Sequence, residues 1–137
     1  MHEILLVEDC NSDAELVELA LRRGGIANPV VRVCDGEGAL RYLRTVEQAF
    51  ESSGPPVPSI LLLDLKLPDM SGFEILQALQ LRQAFSKTLR LVLSQYGDTE
   101  NIKRAYALGA HSFLSKPIRE DELQELVKTY SDYCLVG

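Results

Sequence analysis

Short apolar runs alternate along this chain with segments of helical periodicity, and that alternation constrains the fold more than any other feature. The runs are strand-sized and cover Ile4–Val7, Val30–Val33, and residues 60–63, 89–93 and, weakly, 112–114. The first, third and fourth runs are almost wholly apolar, which is typical of strands buried on both faces. The pattern therefore predicts a sheet that is covered on both sides.

The segments around these runs have the spacing of amphipathic helices. Apolar side chains recur three or four positions apart in residues 12–24, 36–49, 72–84, 99–108 and 119–133. Five strands that alternate with five helices predict an α/β fold, with a doubly wound parallel sheet between two layers of helices.

Local signals mark several helix ends and one long connection. The sequences beginning at Ser12 and Ser71 each place a glutamate three residues later, as a capping box requires. Gly24 and Gly109 stand where a helix C-terminus favours a left-handed residue. Residues 48–59 are rich in serine, proline and glycine, and we predict a surface loop there.

Composition narrows the class of protein. The length of 137 residues fits one domain, and the net charge of -6 disfavours binding to nucleic acid or to an anionic membrane. No apolar run approaches the roughly 18 residues of a membrane helix, and no signal peptide is visible. The cysteines, Cys10, Cys34 and Cys134, are odd in number and widely spaced, which predicts reduced thiols in a cytoplasmic protein.

Charged and polar side chains follow the predicted strands. Glu8 and Asp9 follow the first run, Asp64 the third, Ser94 the fourth and Lys116 the fifth. Ligands of doubly wound sheets bind at the carboxyl ends of the strands, so we expect these residues to meet in one crevice. Two carboxylates about 4 Å apart repel by roughly 4 kcal/mol at an effective dielectric near 20. A hard cation such as Mg²⁺, bound by oxygen ligands, would relieve this repulsion, as would the Lys116 ammonium.

Four segments together resemble the receiver domain of response regulators. They are ILLVEDC (4–10), LLLDLKLPDMSGFEIL (61–76), LVLSQYG (91–97) and GAHSFLSKPI (109–118). The resemblance implies a flavodoxin-like sheet of strand order 2-1-3-4-5 with five helices, in three αβα layers. It also implies a single receiver domain over residues 1–137, with a C-terminal arm at 131–137.

The resemblance implies a role for each acid of the crevice. Asp64 is the expected phosphoacceptor, and Asp9 and Asp64 are expected Mg²⁺ ligands. The backbone carbonyl of Lys66 would complete the protein's share of the coordination, and Glu8 would bind through water. Asp13 and Asp69 are interpreted as cap or loop acids, with Asp13 close enough to tune the crevice.

The resemblance also implies which residues bind the phosphoryl group and which change position when it is attached. Ser94 and Lys116 are expected to contact phosphoryl oxygens, and Pro117 is expected to follow Lys116 through a cis peptide. Phe113 would be the switch aromatic that turns inward when Ser94 moves. The implied function is a signalling switch of a two-component system, phosphorylated by a sensor histidine kinase and read out through residues 99–133.

A narrower resemblance links the chain to stand-alone regulators paired with bacterial phytochrome histidine kinases. Its basis is the proline-containing connection before Ile60 and the tail YSDYCLVG (130–137). We therefore expect a homodimer whose interface includes Tyr106, Tyr130, Tyr133 and Leu135.

Two other functions are weighed against the switch. A Mg²⁺-dependent phosphatase of the haloacid dehalogenase type usually has a second aspartate two residues after the nucleophile, where this chain has Lys66. A phosphorylation-independent interaction module would be marked by loss of Asp64, Asp9 or Lys116, and all three are present. We therefore expect a signalling domain that gains and loses its own phosphoryl group and does not turn over external substrates.

Overall fold

The computed structural model describes residues 3–53, 57–95 and 97–133. Five parallel strands form one sheet in the order β2-β1-β3-β4-β5. The strands are β1 (Ile4–Val7), β2 (Val30–Val33), β3 (Ile60–Asp64), β4 (Leu89–Ser94) and β5 (Ser112–Ser115). The predicted flavodoxin-like fold and strand order are confirmed.

Five α-helices connect or follow the strands, as predicted. They are α1 (Asn11–Arg23), α2 (Gly36–Ser53), α3 (Gly72–Gln80), α4 (Thr99–Ala107) and α5 (Glu120–Thr129). Short 3-10 turns follow α3 at Gln83–Phe85 and α5 at Ser131–Tyr133, so these two helices end earlier than the periodicity suggested. Within the part of the chain described here, no helix combines the length and apolar character needed to cross a membrane.

Side-chain alternation along the strands divides the core into two halves. On one face, Leu5, Val7 and Leu63 pack with apolar side chains of α2, α3 and α4. On the other face, Ile4 and Leu6 pack with those of α1 and α5. The central strands are buried from end to end, which explains why their sequences are almost wholly apolar apart from Arg90 and the terminal Asp64 and Ser94.

The capping prediction at Ser71 is confirmed, and that at Ser12 is wrong. Ser71 Oγ accepts a hydrogen bond from Phe73 N (3.2 Å), and Glu74 Oε2 accepts one from Ser71 N (3.0 Å). Helix α1 instead begins at Asn11, with Cys10 before it and no side-chain cap. Ser12 thus lies inside the helix, because the chain enters α1 almost directly from the end of β1.

The glycine prediction holds at Gly109, where φ is +99°, and fails at Gly24, where φ is -77°. Gly24 N still donates to Ala20 O (2.9 Å), so the helical hydrogen bonding continues through it. Gly25, with φ +83°, makes the left-handed turn one residue later.

The loop predicted at residues 48–59 is wrong over its first half, because α2 extends to Ser53. Residues 48–53 contain neither glycine nor proline, so nothing in the sequence breaks the helix there. Residues 54–56 are outside the described part of the chain.

The first part of the predicted C-terminal arm lies against the domain itself. The Tyr133 carbonyl accepts hydrogen bonds from Asn28 Nδ2 (3.0 Å) and Ser59 Oγ (3.3 Å). These contacts hold the 3-10 turn near the amino ends of β2 and β3, at the opposite end of the strands from the predicted crevice. The remainder of the arm, residues 134–137, lies outside the described residues.

Candidate functional site

Three carboxylates converge at the carboxyl edge of the sheet, as the sequence predicts. Glu8 and Asp9 follow β1, and Asp64 is the last residue of the neighbouring strand β3. One oxygen from each carboxylate lies within 4.8 Å of the other two. Glu8 is 0% exposed and Asp64 7% exposed, whereas Asp9 faces solvent. The cluster therefore has a buried base and an open side.

Lys116 connects this cluster across the width of the sheet. Its Nζ donates to Asp64 Oδ2 (3.1 Å), to Asp13 Oδ2 (3.2 Å) and to Glu8 Oε1. The backbone supports this reach, because Lys116 N donates to the carbonyl of Ser94 at the end of β4 (3.0 Å). The predicted cis peptide between Lys116 and Pro117 is present. One ammonium thus contacts acids from three separate segments.

Burial and crowding perturb the ionisation of this cluster. Burial, reinforced by the nearby Asp64, raises the pKa of Glu8 to about 7, although Lys116 acts in the opposite direction. Burial lowers the pKa of Lys116, but hydrogen bonds to Glu8 and Asp64 outweigh it and hold that pKa above its usual range. Lys116 is therefore charged, whereas burial disfavours the charged form of the Glu8 carboxyl beneath it.

The donor set fits a divalent cation of the hard type. Four carboxylates, from Glu8, Asp9, Asp13 and Asp64, surround one ammonium, so negative charge is in excess. The atoms available are carboxylate oxygens, which Mg²⁺ prefers. The cluster opens into a cleft of about 280 Å³, lined by Glu8, Asp9, Cys10, Asp13, Asp64, Lys66, Leu67, Pro68, Gln95 and Lys116.

The segment after β3 forms one wall of this cleft. Lys66 lines it, and its backbone N–H donates to Asp64 Oδ1 (3.1 Å), which fixes the acceptor carboxylate. The chain then turns back on itself, since Gly72 N donates to the carbonyl of Leu65 (2.8 Å). Coordination by the Lys66 carbonyl stays a prediction.

This wall can form only if residue 72 has no side chain. The sequence pattern around Gly72 predicts a capping box but not this close packing. A Cβ at this position would lie 2.5 Å from the carbonyl oxygen of Asp64 and 2.9 Å from Leu65 Cα. The start of α3 therefore packs directly on the backbone of Asp64. The signal in the sequence is a glycine in the first turn of a helix, where glycine has no intrinsic advantage.

The proposed switch residues lie on neighbouring strands, two positions apart in register, since Ser94 pairs with Ser115 and Phe113 with Val92. Ser94 ends β4 and is 1% exposed, and Phe113 lies on the neighbouring strand β5, half-buried against the core on the α2–α4 side. A Cβ on Gly97 would lie 3.6 Å from the Phe113 ring, so that ring borders the loop that follows Ser94. A coupled movement of Ser94 and Phe113 stays a prediction.

Asp13 and Asp69, interpreted from the sequence as cap or loop acids, each make a specific long-range contact. Asp13 contacts Lys116 directly and so belongs to the charge cluster. Asp69 does cap a helix, but the helix is α2, more than 30 residues earlier: its oxygens accept hydrogen bonds from Gly36 N (2.8 Å) and Glu37 N (2.9 Å). These bonds lower the pKa of Asp69 below its usual range. No local pattern reveals a cap supplied from a distant loop.

The residues predicted for a dimer interface differ in accessibility. Tyr106 on α4 is 48% exposed. Tyr130 and Tyr133 are half-buried, pack on the core beside α1 and α5, and form an edge-to-face pair with ring centroids 6.2 Å apart. Leu135 lies outside the described residues.

Comparison with known proteins agrees with this fold and site. A family model for the response regulator receiver domain matches residues 4–128. The chain belongs to the response-regulator receiver family, whose members serve two-component signal transduction.

Similar proteins include regulators of comparable length. The chain is 33% identical to the "Probable methanogenesis regulatory protein FilR2" of Methanothrix harundinacea over 96% of this chain and 83% of that protein. It is 28% identical to response regulator Rcp1 of Synechocystis, over 96% of this chain and 88% of that protein.

Solved structures show the same architecture over the whole chain. The bacteriophytochrome response regulator AtBRR is 30% identical, with a TM-score of 0.80 and coverage of 100% of this chain and 97% of its own. The Mn²⁺-bound form of Rcp1 is 25% identical, with a TM-score of 0.78 and coverage of 100% and 99%. A divalent metal is thus part of a solved structure that this fold resembles.

Proposed function

We propose that the protein is a phospho-accepting response regulator in which Asp64 receives a phosphoryl group from the phosphohistidine of a sensor histidine kinase. An oxygen of Asp64 attacks phosphorus, the bond from phosphorus to the histidine nitrogen breaks, and an aspartyl phosphate forms. The observation that carries this proposal is the position of Asp64 in the wall of a cleft, in contact with the Lys116 ammonium and within 4.8 Å of two further carboxylates.

The oxygens of Asp9 and Asp64, with the Lys66 carbonyl and with Glu8 through water, would hold a Mg²⁺ ion at this edge. When bound, the ion neutralises negative charge on the transferring phosphoryl group. The residues fit because a hard cation offsets the excess of carboxylates. Specificity for Mg²⁺ is part of the proposal.

Lys116 and Ser94 would then receive the new phosphoryl oxygens. Lys116 Nζ is already 3.1 Å from Asp64 Oδ2, so it can pair with an oxygen attached there. Movement of Ser94 toward a second oxygen would free the space into which Phe113 turns. This would alter the face formed by α4, β5 and α5, which we propose as the output surface.

We infer that the domain changes its own phosphorylation state and is not a turnover enzyme. The haloacid dehalogenase reaction uses an acid two residues after the nucleophile, and this chain has a lysine, Lys66, at that position. A lysine cannot take the acid's place, because its ammonium has no proton-accepting oxygen. A phosphorylation-independent interaction module is disfavoured by the complete set of Asp9, Asp64 and Lys116.

The proposed partners follow from the similar proteins. The likeness to two bacteriophytochrome response regulators, RtBRR and AtBRR, favours a phytochrome-type histidine kinase in the cytoplasm as the phosphoryl donor. We further propose a homodimer through α4, β5, α5 and the C-terminal arm, with Tyr106 as its exposed aromatic. The net charge of -6 supports protein partners and disfavours nucleic acid and membrane surfaces.

Intact-mass analysis after incubation with Mg²⁺ and acetyl phosphate tests this function. We expect the native protein to gain the mass of one phosphoryl group and Asp64→Asn to gain none. Asp121→Asn, an exposed acid on α5 paired with Arg119, is the matched control and should behave as native. A native protein that stays unmodified, or an Asp64→Asn variant that is still modified, would refute the proposal.

A further inference from the structure

The wall of the cleft between β3 and α3 is attached to a helix on another part of the chain. Lys66, Leu67 and Pro68 line the cleft, and Asp69 follows immediately. The Asp69 carboxylate uses both oxygens, accepting from Gly36 N (2.8 Å) and Glu37 N (2.9 Å) at the start of α2. A charged acceptor on two amides at the positive end of a helix is a strong contact for an exposed side chain.

A second contact reinforces the first at the same place. A Cβ on Gly36 would lie 2.2 Å from Met70 Cγ and 2.5 Å from Met70 Sδ. Met70 therefore occupies the space in which any other residue at position 36 would place its side chain. Met70 also packs against the buried cluster on the α2–α4 side of the sheet. The loop is thus held to α2 by a polar contact and an apolar contact on consecutive residues.

Helix α2 has a local cap that is separate from this attachment. Asp35 Oδ1 accepts a hydrogen bond from Gly38 N (2.7 Å), and the Asp35 carbonyl accepts one from Ala39 N (3.1 Å). Asp35 thus caps the helix from its own chain segment, whereas Asp69 joins the helix to the cleft wall. Both acids accept amide hydrogen bonds at the start of α2, but only Asp69 also holds the cleft wall, so Asp35 serves as the control for loss of a helix cap alone.

We propose that Asp69 is a positioning residue that, with Met70 and Gly36, fixes the Lys66–Pro68 wall to α2 and so holds that wall in place for a divalent cation and the phosphoryl group. This inference rests on the proposed function. Asp64 is held in place as the last residue of β3. Asp69, bonded to the start of α2, restrains the Lys66–Pro68 segment that follows Asp64. Neither Asp69 nor Met70 touches the reacting atoms.

The test compares Asp69→Ala with Asp35→Ala. Hydrogen exchange of the amides at residues 66–70, in the metal-free protein, reports whether the wall has loosened. Calorimetric titration with Mg²⁺ alone reports cation affinity. We expect Asp69→Ala to speed exchange in this segment and to raise the Mg²⁺ dissociation constant roughly tenfold, as loss of an outer partner of a metal site does. Asp35→Ala should lower thermal stability but leave both measurements unchanged.

The inference would be overturned if the native protein and Asp69→Ala had the same exchange rates and the same Mg²⁺ affinity. It would also be overturned if Asp35→Ala sped exchange and weakened Mg²⁺ binding as much as Asp69→Ala does. If Asp69→Ala does not fold, Gly36→Ala provides the second test, because its methyl group displaces Met70. It should loosen the same amides, and unchanged exchange there would contradict the proposal. Neither measurement requires phosphorylation, so a failed phosphotransfer would refute the proposed function without deciding this inference.

Discussion

Lys116 is the residue on which the charge balance of the site depends. It contacts Glu8, Asp13 and Asp64, and its side chain is 8% exposed. Buried ion pairs add little net stability compared with apolar packing, but removal of one partner leaves an uncompensated buried charge. Lys116 therefore allows the domain to fold with Glu8, Asp13 and Asp64 close together before any cation binds.

Replacement of Lys116 by methionine should be strongly destabilising. We expect the free energy of unfolding in urea to fall by about 3 kcal/mol without divalent cation, because Glu8 and Asp64 lose their counter-charge. Added Mg²⁺ should restore more stability to this variant than to the native protein. Lys128→Met, on an exposed lysine of α5, is the control; equal stabilities for all three proteins would contradict this role.

The raised pKa of Glu8 predicts how cation binding depends on pH. A Glu8 pKa of about 7 in the metal-free protein means that the carboxyl is protonated below neutrality and must lose that proton to serve a cation. Mg²⁺ affinity should therefore level off above pH 7 and fall below it, approaching about tenfold per pH unit. Calorimetry at several pH values measures this.

Glu8→Gln supplies the control for the pH dependence. Because glutamine does not titrate, this variant should bind Mg²⁺ more weakly, and its affinity should change little between pH 6 and pH 8. These two values lie about one unit on each side of the Glu8 pKa. A native affinity that is flat over the same interval would show that Glu8 keeps its charge throughout.

At the scale of elements, the close contact between α3 and the end of β3 determines the position of Asp64, the proposed phosphoacceptor. A Cβ on residue 72 would lie only 2.5 Å from the Asp64 carbonyl oxygen. Because this oxygen belongs to the backbone, it cannot rotate away as a side chain could. The geometry of the site is therefore set by helix packing as well as by the strand.

Gly72→Ala should move α3 away from β3. We expect a loss of about 1–3 kcal/mol in unfolding free energy, the usual cost of overpacking, together with slower phosphorylation of Asp64 by acetyl phosphate. Gly24→Ala is the comparison, since its nearest contact is 3.2 Å and it lies at the end of α1. Native stability and native rate in Gly72→Ala would rule out this packing requirement.

What the sequence could predict at this scale was local or periodic. Apolar runs located all five strands, and carboxylates at the ends of two of them located the site. Pro55, Pro56 and Pro58 indicated a loop, but no residue marks where that loop begins, so the extension of α2 to Ser53 was missed although residues 48–53 contain no helix breaker. The sequence also could not show that Asp69 would cap α2, because that contact depends on how two distant segments pack.

At the scale of the whole molecule, the two edges of the sheet have different roles. The carboxyl edge holds the acids and Lys116, while at the amino edge the Tyr133 carbonyl accepts hydrogen bonds from Asn28 and Ser59. Tyr130 and Tyr133 are half-buried on their own domain, so Tyr106 is the more accessible of the predicted interface aromatics.

The proposed homodimer makes a prediction about mass in solution. Light scattering should give a mass above that of one chain, 15.3 kDa, rising with protein concentration. Tyr106→Ala should weaken this association. Leu81→Ala should not, because it removes an even more exposed apolar side chain (90% against 48% for Tyr106) from outside the proposed face. A monomer mass at every concentration, with and without a beryllofluoride mimic of the phosphoryl group, would contradict the dimer.

The central claim is that the converging acids and Lys116 direct a phosphoryl group onto one carboxylate. Borohydride reduction converts an aspartyl phosphate into homoserine, so peptide sequencing after reduction identifies the modified position directly. With Mg²⁺ and acetyl phosphate, the account predicts homoserine at position 64 and none when Mg²⁺ is removed by a chelator. Homoserine at a different aspartate, or none in the Mg²⁺-loaded protein, would contradict it.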